Sequence, residues 1–265
     1  MKKVIRIISI FFLIVAIIAL GLRWLETLKQ QTSILEAQQR FHRTQGNNED
    51  ILKEASTVLT DPSDAPKTAP VILPEIANLQ SVNPQVIGWI QIPETTVDYP
   101  IVQAHDNVFY LDHDWQAEKN RAGAIFMDYR NDVSSLTRPA THTILYGHHM
   151  RDGSMFQPLI SYKDPLFLQE HPVIHITDLH ETHRFEIFSV YVTTTDFYYI
   201  ETHFEDELAF EAFNSVLQEK SKHPFAHSIT GEDALLTLST CTYEYDDARL
   251  VVHARYLETF PRKGS

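Results

Sequence analysis

Only one of the 265 residues is a cysteine, and only eight are glycine. The lone cysteine excludes an internal disulfide, and so little glycine leaves scant room for a loop that cradles phosphates. Positive charge is scarce as well: 22 Lys and Arg face 35 Asp and Glu, for a formal net charge of −13. A chain without a basic face cannot neutralise a phosphate backbone, which argues against nucleic acid as a partner. No Gly-x-Ser-x-Gly elbow occurs, so a serine hydrolase of that design is disfavoured. No second cysteine or acidic ligand stands at zinc-like spacing beside His142, His148 and His149, and no metal or other cofactor is expected. Internal repeats and low-complexity tracts are missing too. What the chain does have is 43% hydrophobic and 11% aromatic residues, ample for a packed core.

Uncharged apolar sequence is concentrated at the N-terminus. Lys2, Lys3 and Arg6 precede a charge-free run from Ile7 to Leu22. At about 1.5 Å of helical rise per residue that run falls slightly short of a hydrocarbon core of roughly 30 Å. Val4, Ile5, Trp24 and Leu25 close the gap, with Arg6 and Arg23 placed to snorkel. The basic leader predicts a cytoplasmic N-terminus, a single membrane pass and an extracellular remainder. A cleaved signal peptide is the rival reading, with a weak small-x-small site at Ala19-Leu-Gly21. On either reading the domain is exported, and an exported chain with one cysteine has a thiol to explain.

The expected organisation is a leader and anchor over 1–25, a stalk and linker over 26–74, and a folded domain over 75–265. The stalk is polar with helical spacing, clearest at Ile51, Leu52, Ala55, Val58 and Leu59. Pro62, Pro66, Pro70 and Pro74 then recur every four residues, which forbids a helix and favours an extended spacer. Beyond it come short β-prone runs at 88–92, 97–102, 124–128, 143–146, 173–177, 184–194, 235–240 and 250–256. About eight strands at such spacing predict a mainly β domain, a closed barrel rather than a parallel α/β sheet. One helix interrupts them, over 205–221, with Leu208, Phe213, Val216 and Leu217 expected on its buried face.

Cys241 ends the run Leu235-Leu-Thr-Leu-Ser-Thr240, and Arg249 opens the last run eight residues on. If the two runs pair as a hairpin, both residues lie at the facing strand ends. A thiolate nucleophile needs a proton acceptor or a cationic neighbour. A fixed guanidinium beside it could stabilise a developing oxyanion, an effect worth about 3 kcal/mol per donor. His148 follows Ile144-Leu-Tyr-Gly147, a strand ending in a glycine turn that would present its imidazole at a barrel rim; His149 should face elsewhere. The bland alternative is a buried structural cysteine in a non-catalytic exported binding barrel, since free cysteine usually behaves as a small hydrophobe.

Thr237-Leu-Ser-Thr-Cys241, with an arginine opening the next strand, resembles the sortase signature, and Tyr146-Gly-His-His-Met150 resembles the segment carrying the sortase catalytic histidine. The segments Asn83–Pro93, Val97–Val102, Asp106–Asp114 and Gly123–Asn131 are similar to class B sortases, and the likeness covers roughly 75–258. The resemblance implies an eight-stranded sortase-type barrel with N-terminal helices and a long helix between late strands. It implies a membrane-anchored cysteine transpeptidase with Cys241 as nucleophile, His148 as general acid/base and Arg249 as substrate-orienting, oxyanion-stabilising residue. Such an enzyme cleaves a C-terminal sorting pentapeptide after its threonine through a thioacyl intermediate. It then joins the cargo, a secreted protein, to a peptidoglycan precursor amine. Ser239, Tyr146, Asn107 and Leu111 are the implied peptide contacts, and Tyr198, Tyr199 and Ile200 are further candidates for the groove wall. The loop from Thr242 to Ala248 departs from the family pattern, so its contacts are not carried over. A peptidase that releases its product to water shares this chemistry and stays open as an alternative.

Overall fold

The computed structural model describes residues 2–56, 71–225, 227–242 and 247–260. Eight strands close into a barrel in the order β1-β2-β3-β4-β7-β8-β6-β5. They are β1 (Val86–Gln91), β2 (Asp98–Val102), β3 (Ile125–Met127), β4 (Thr141–Tyr146), β5 (Val173–Thr177), β6 (Thr182–Thr193), β7 (Ala234–Cys241) and β8 (Arg249–Phe260). Closure leaves no unpaired edge among them. Two neighbouring pairs, β2 with β3 and β4 with β7, are parallel; the rest are antiparallel. The interior is filled by alternate side chains, including Ile90, Ile101, Leu145, Phe185, Leu236, Leu238 and Val252.

The intervening positions of β6, β7 and β8 face outwards. Phe188, Tyr191, Leu235 and Val251 there are covered by the helix after β6. That helix, Glu207–Lys220, starts at Asp206, whose carboxylate accepts the Ala209 amide as an N-cap. Its buried face is Phe210, Asn214 and Leu217. The expected face was half right. Phe213 packs against this cluster, whereas Leu208 and Val216 are exposed. The stripe that meets the sheet runs 210, 214, 217, one helical step away from 208 and 216.

The N-terminal region is helical across the expected anchor and the first part of the expected stalk. One helix, α1, runs continuously from Lys2 to Ser56, about 80 Å at the usual rise. Its first half is exposed and contains a stretch long and apolar enough to cross a membrane. Further on, the helix lies against the barrel. Ser33, Ala37 and Phe41 are buried, and Phe41 stacks on Trp89 with ring centres 4.2 Å apart. Trp115 Nε1 donates to the Ser33 carbonyl at 2.9 Å, and Gln38 Nε2 to the Asp98 carbonyl at 3.0 Å. The expected stalk thus contributes a packed face at residues 30–41. Its small and polar residues hid that face from a search for large apolar ones. Ile51, Leu52 and Ala55 fall within α1, while Val58, Leu59, Pro62, Pro66 and Pro70 lie outside the described residues. Pro74 opens the short helix α2, Pro74–Gln80, which packs beside α1 through Ile76 and Leu79. The six-residue helix Pro165–Glu170 is α3, and the helix over β6 to β8 is α4.

Candidate active site

β7 and β8 form the expected hairpin, and its register pairs Cys241 directly with Arg249. Residues opposite one another on antiparallel strands share a face, so thiol and guanidinium leave the sheet on the same side. The same face carries Ser239, two residues back, and Ser239 pairs with Tyr146 on β4. β4 ends there, and Gly147 and His148 follow. Gly147 is required by space rather than by its dihedral angles: a Cβ there would lie 2.5 Å from Ile125 Cδ1 and 2.7 Å from Phe156 Cδ2. The chain can turn so tightly against the core only without a side chain, and the turn brings His148 to the rim.

Cys241, Arg249, His148, Ser239, Tyr146, Asn107 and Leu111 all line one open groove of about 330 Å³, together with Phe126, Gly147, Thr195, Tyr199, Ile200 and Thr240. Cys241 is half-buried, neither sealed in the core nor fully exposed. His148 Nε2 lies 2.7 Å from the Leu111 carbonyl. A carbonyl can only accept, so Nε2 carries a proton, and in the neutral ring Nδ1 is the nitrogen left to take one up. His149 also reaches Cys241, at the cysteine's backbone: His149 Nδ1 donates to the Cys241 carbonyl at 3.1 Å. Burial holds the His149 pKa below its ordinary value, against the opposing pull of that carbonyl. Arg249 Nη1 donates to the Ala248 carbonyl at 3.1 Å, and Nη2 is 4.0 Å from Asp247 Oδ1.

The expected peptide contacts divide by what their polar atoms do. Leu111 presents an exposed side chain. Ser239 is buried, with its hydroxyl 2.8 Å from the Tyr199 hydroxyl. Tyr146 donates its hydroxyl to Asp128 Oδ2 at 2.9 Å. Asn107 donates to the same oxygen at 3.0 Å and accepts the Tyr129 amide. These last three therefore build the groove as well as line it. Asp128 itself, completely buried, carried no recognisable signal as a single acid at a strand end. Burial alone would raise its pKa; hydrogen bonds from the Arg130 guanidinium and amide and from Tyr146 outweigh that and hold it below the usual value. Thr195 and Phe126 also escaped sequence reading, since neither residue type points to a site.

His142, grouped by sequence with His148 and His149, lies elsewhere, fully buried on the outer face of β4. Its Nδ1 donates to the Glu201 carbonyl at 2.6 Å, and Thr237 Oγ1 lies 2.5 Å from its Nε2. Among the described residues no group of three His, Cys, Asp or Glu is placed to hold a metal ion.

Comparison with known proteins identifies the family and its fold. The sortase domain family model matches residues 90–257. Sortase B of Listeria monocytogenes is 40% identical over 211 residues, covering 79% of this chain and 85% of its own. Among solved structures, a Bacillus anthracis protein described as similar to sortase B superposes with a TM-score of 0.73 at 38% identity, covering 88% of this chain and 98% of its own. The Staphylococcus aureus sortase B–substrate complex gives 0.72 at 30% identity, covering 88% and 99%. The chain belongs to the sortase family of cysteine transpeptidases and, within it, to class B.

Proposed function

We propose that this chain cleaves a C-terminal sorting pentapeptide of a secreted protein after its threonine and transfers the acyl group to a peptidoglycan precursor amine. One observation carries the reading: the β7–β8 register pairs Cys241 with Arg249 at a groove that His148 also lines. Cys241 Sγ, as thiolate, attacks the threonine carbonyl carbon. The resulting oxyanion is held by the Arg249 guanidinium, a fixed donor beside the nucleophile. Collapse breaks the C–N bond, and the departing nitrogen takes a proton from His148, leaving a thioester on Cys241. The acceptor amine then attacks the thioester, gives its proton to His148, and releases the sulfur. Ser239, Tyr146, Asn107 and Leu111 frame the peptide. The exposed apolar half of α1 serves as a single-pass anchor, with the N-terminus cytoplasmic and the barrel outside.

The test uses a quenched sorting peptide of the Asn-Pro-x-Thr type or a Leu-Pro-x-Thr-Gly-like variant. Cys241→Ala should abolish cleavage without changing the circular dichroism spectrum. A small added amine should appear covalently joined to the threonine. Turnover retained by Cys241→Ala would remove the nucleophile assignment, and release of free acid alone in excess amine would mark a peptidase.

A further inference from the structure

Two separate chain segments line the groove: Asn107 and Leu111 ahead of β3, and Thr195, Tyr199 and Ile200 between β6 and α4. The second segment has neither helix nor strand from 194 to 206. Its shape is instead pinned at four successive residues. Arg130 Nη1 donates to the Tyr198 hydroxyl at 2.9 Å, and Arg130 Nη2 to the Ile200 carbonyl at 3.0 Å. The Tyr199 hydroxyl meets Ser239, and the Glu201 carbonyl accepts from His142. Arg130 is in turn fixed by Asp128, through Nε at 2.8 Å and Nη2 at 2.7 Å. The same carboxylate accepts the Asn107 side-chain amide and the Tyr146 hydroxyl.

We infer that Asp128 and Arg130 form a clamp that ties the two groove segments together, making Arg130 a positioning residue that sets how well the groove fits its peptide. The inference rests on the groove being the peptide site proposed above. The planar fork of arginine is what makes the link possible. One edge grips a buried carboxylate while the other reaches a hydroxyl and a carbonyl on the far segment. Lysine, a single point of charge, cannot reproduce that span. A cut clamp leaves Cys241 and Arg249 in place on the β7 and β8 strand ends, and His148 on its Leu111 carbonyl, because Arg130 bonds to none of these residues. It loosens residues 198–201. The penalty therefore falls on peptide binding rather than on the chemical step.

The experiment uses the full chain in detergent, comparing the parent with Arg130→Lys, Arg130→Gln and Tyr198→Phe. Hydrogen exchange needs no substrate, and amides of 198–201 should exchange faster in both Arg130 variants and less so in Tyr198→Phe. Steady-state cleavage of the sorting peptide should show KM raised about tenfold in Arg130→Gln with kcat within about twofold, the pattern of lost ground-state binding. Arg130→Lys should fail to restore KM. Unchanged exchange at 198–201 overturns the clamp. Faster exchange with an unchanged KM, or with kcat falling alongside the melting temperature, overturns its part in peptide fit. If the parent cleaves no sorting peptide, the function reading falls, and the exchange measurement still decides the clamp.

Discussion

Arg249 stands beside Cys241 because the ladder places it there, and among the described residues its polar contacts within the hairpin are light. It donates once to the neighbouring carbonyl and stands 4.0 Å from a carboxylate that is mostly exposed. An ion pair of that kind contributes at most about 1 kcal/mol, so Asp247→Asn should leave stability within about 0.5 kcal/mol in urea unfolding. Substitution of the arginine is a different matter. Arg249→Lys keeps the charge and loses the planar donors, and under the proposed oxyanion role kcat should fall about a hundredfold, read by steady-state kinetics. Gly147 governs the other partner. Gly147→Ala must displace Ile125 or Phe156, both buried, at a cost of about 1–3 kcal/mol. Because His148 is the next residue, activity should drop further than the stability loss explains, and a urea curve measured beside kcat separates the two.

At the scale of elements, α1 is the one whose role changes the experimental picture. Phe41 stacks on Trp89, and Ser33 and Ala37 are buried against the barrel, so a fragment beginning near residue 75 exposes Trp89 and Trp115 to water. Such a fragment should unfold at a lower urea midpoint than one beginning at residue 26, and Phe41→Ala should lose about 3 kcal/mol in the longer one. Equal midpoints would mean that α1 adds nothing to the barrel. This helix also shows where sequence reading stops. The strands were legible because alternating apolar residues between turn signals have one physical meaning, and the Cys241–Arg249 hairpin followed from spacing. The face formed by Gln30, Ser33, Ala37 and Phe41 was not, since three of its four buried residues are small or polar and Phe41 alone is a large apolar one. Asp128 and Arg130 were hidden for a related reason: their meaning lies in partners about 70 residues away, at Tyr198 and Ile200.

Across the whole molecule, the outer faces of β4, β6, β7 and β8 share a buried chain of hydrogen bonds whose direction is fixed by its ends. The Glu201 carbonyl only accepts, so His142 Nδ1 donates; its Nε2 then accepts from Thr237, whose oxygen accepts from His253 Nδ1 at 2.6 Å, and the Tyr191 hydroxyl donates to His253 Nε2 at 2.8 Å. The arrangement requires both imidazoles to be neutral. Burial enforces this, holding His142 down to about 4 and His253 well below its ordinary value. The unfolded chain, with histidines near 6.5, binds more protons than the folded one between pH 4 and 6.5. Stability therefore rises with pH through that window, is fully present above about 6.5, and is lost as pH falls towards 4. For His142 alone the loss is about 3 kcal/mol, and His253 acts in the same direction. His149 and His175, also lowered by burial, add to it. Asp128 contributes separately, at lower pH, because its depressed pKa places its loss below the usual carboxylate range. Urea unfolding at pH 5, 6 and 7 should show a slope of at least about 1.4 kcal/mol per pH unit between 5 and 6. His142→Gln should lower that slope by about one proton's worth, whatever it does to stability at pH 7. A parent curve that is flat from pH 4.5 to 6.5 would mean that the two imidazoles are not held neutral in the fold, and that the direction of the chain through Thr237 is different.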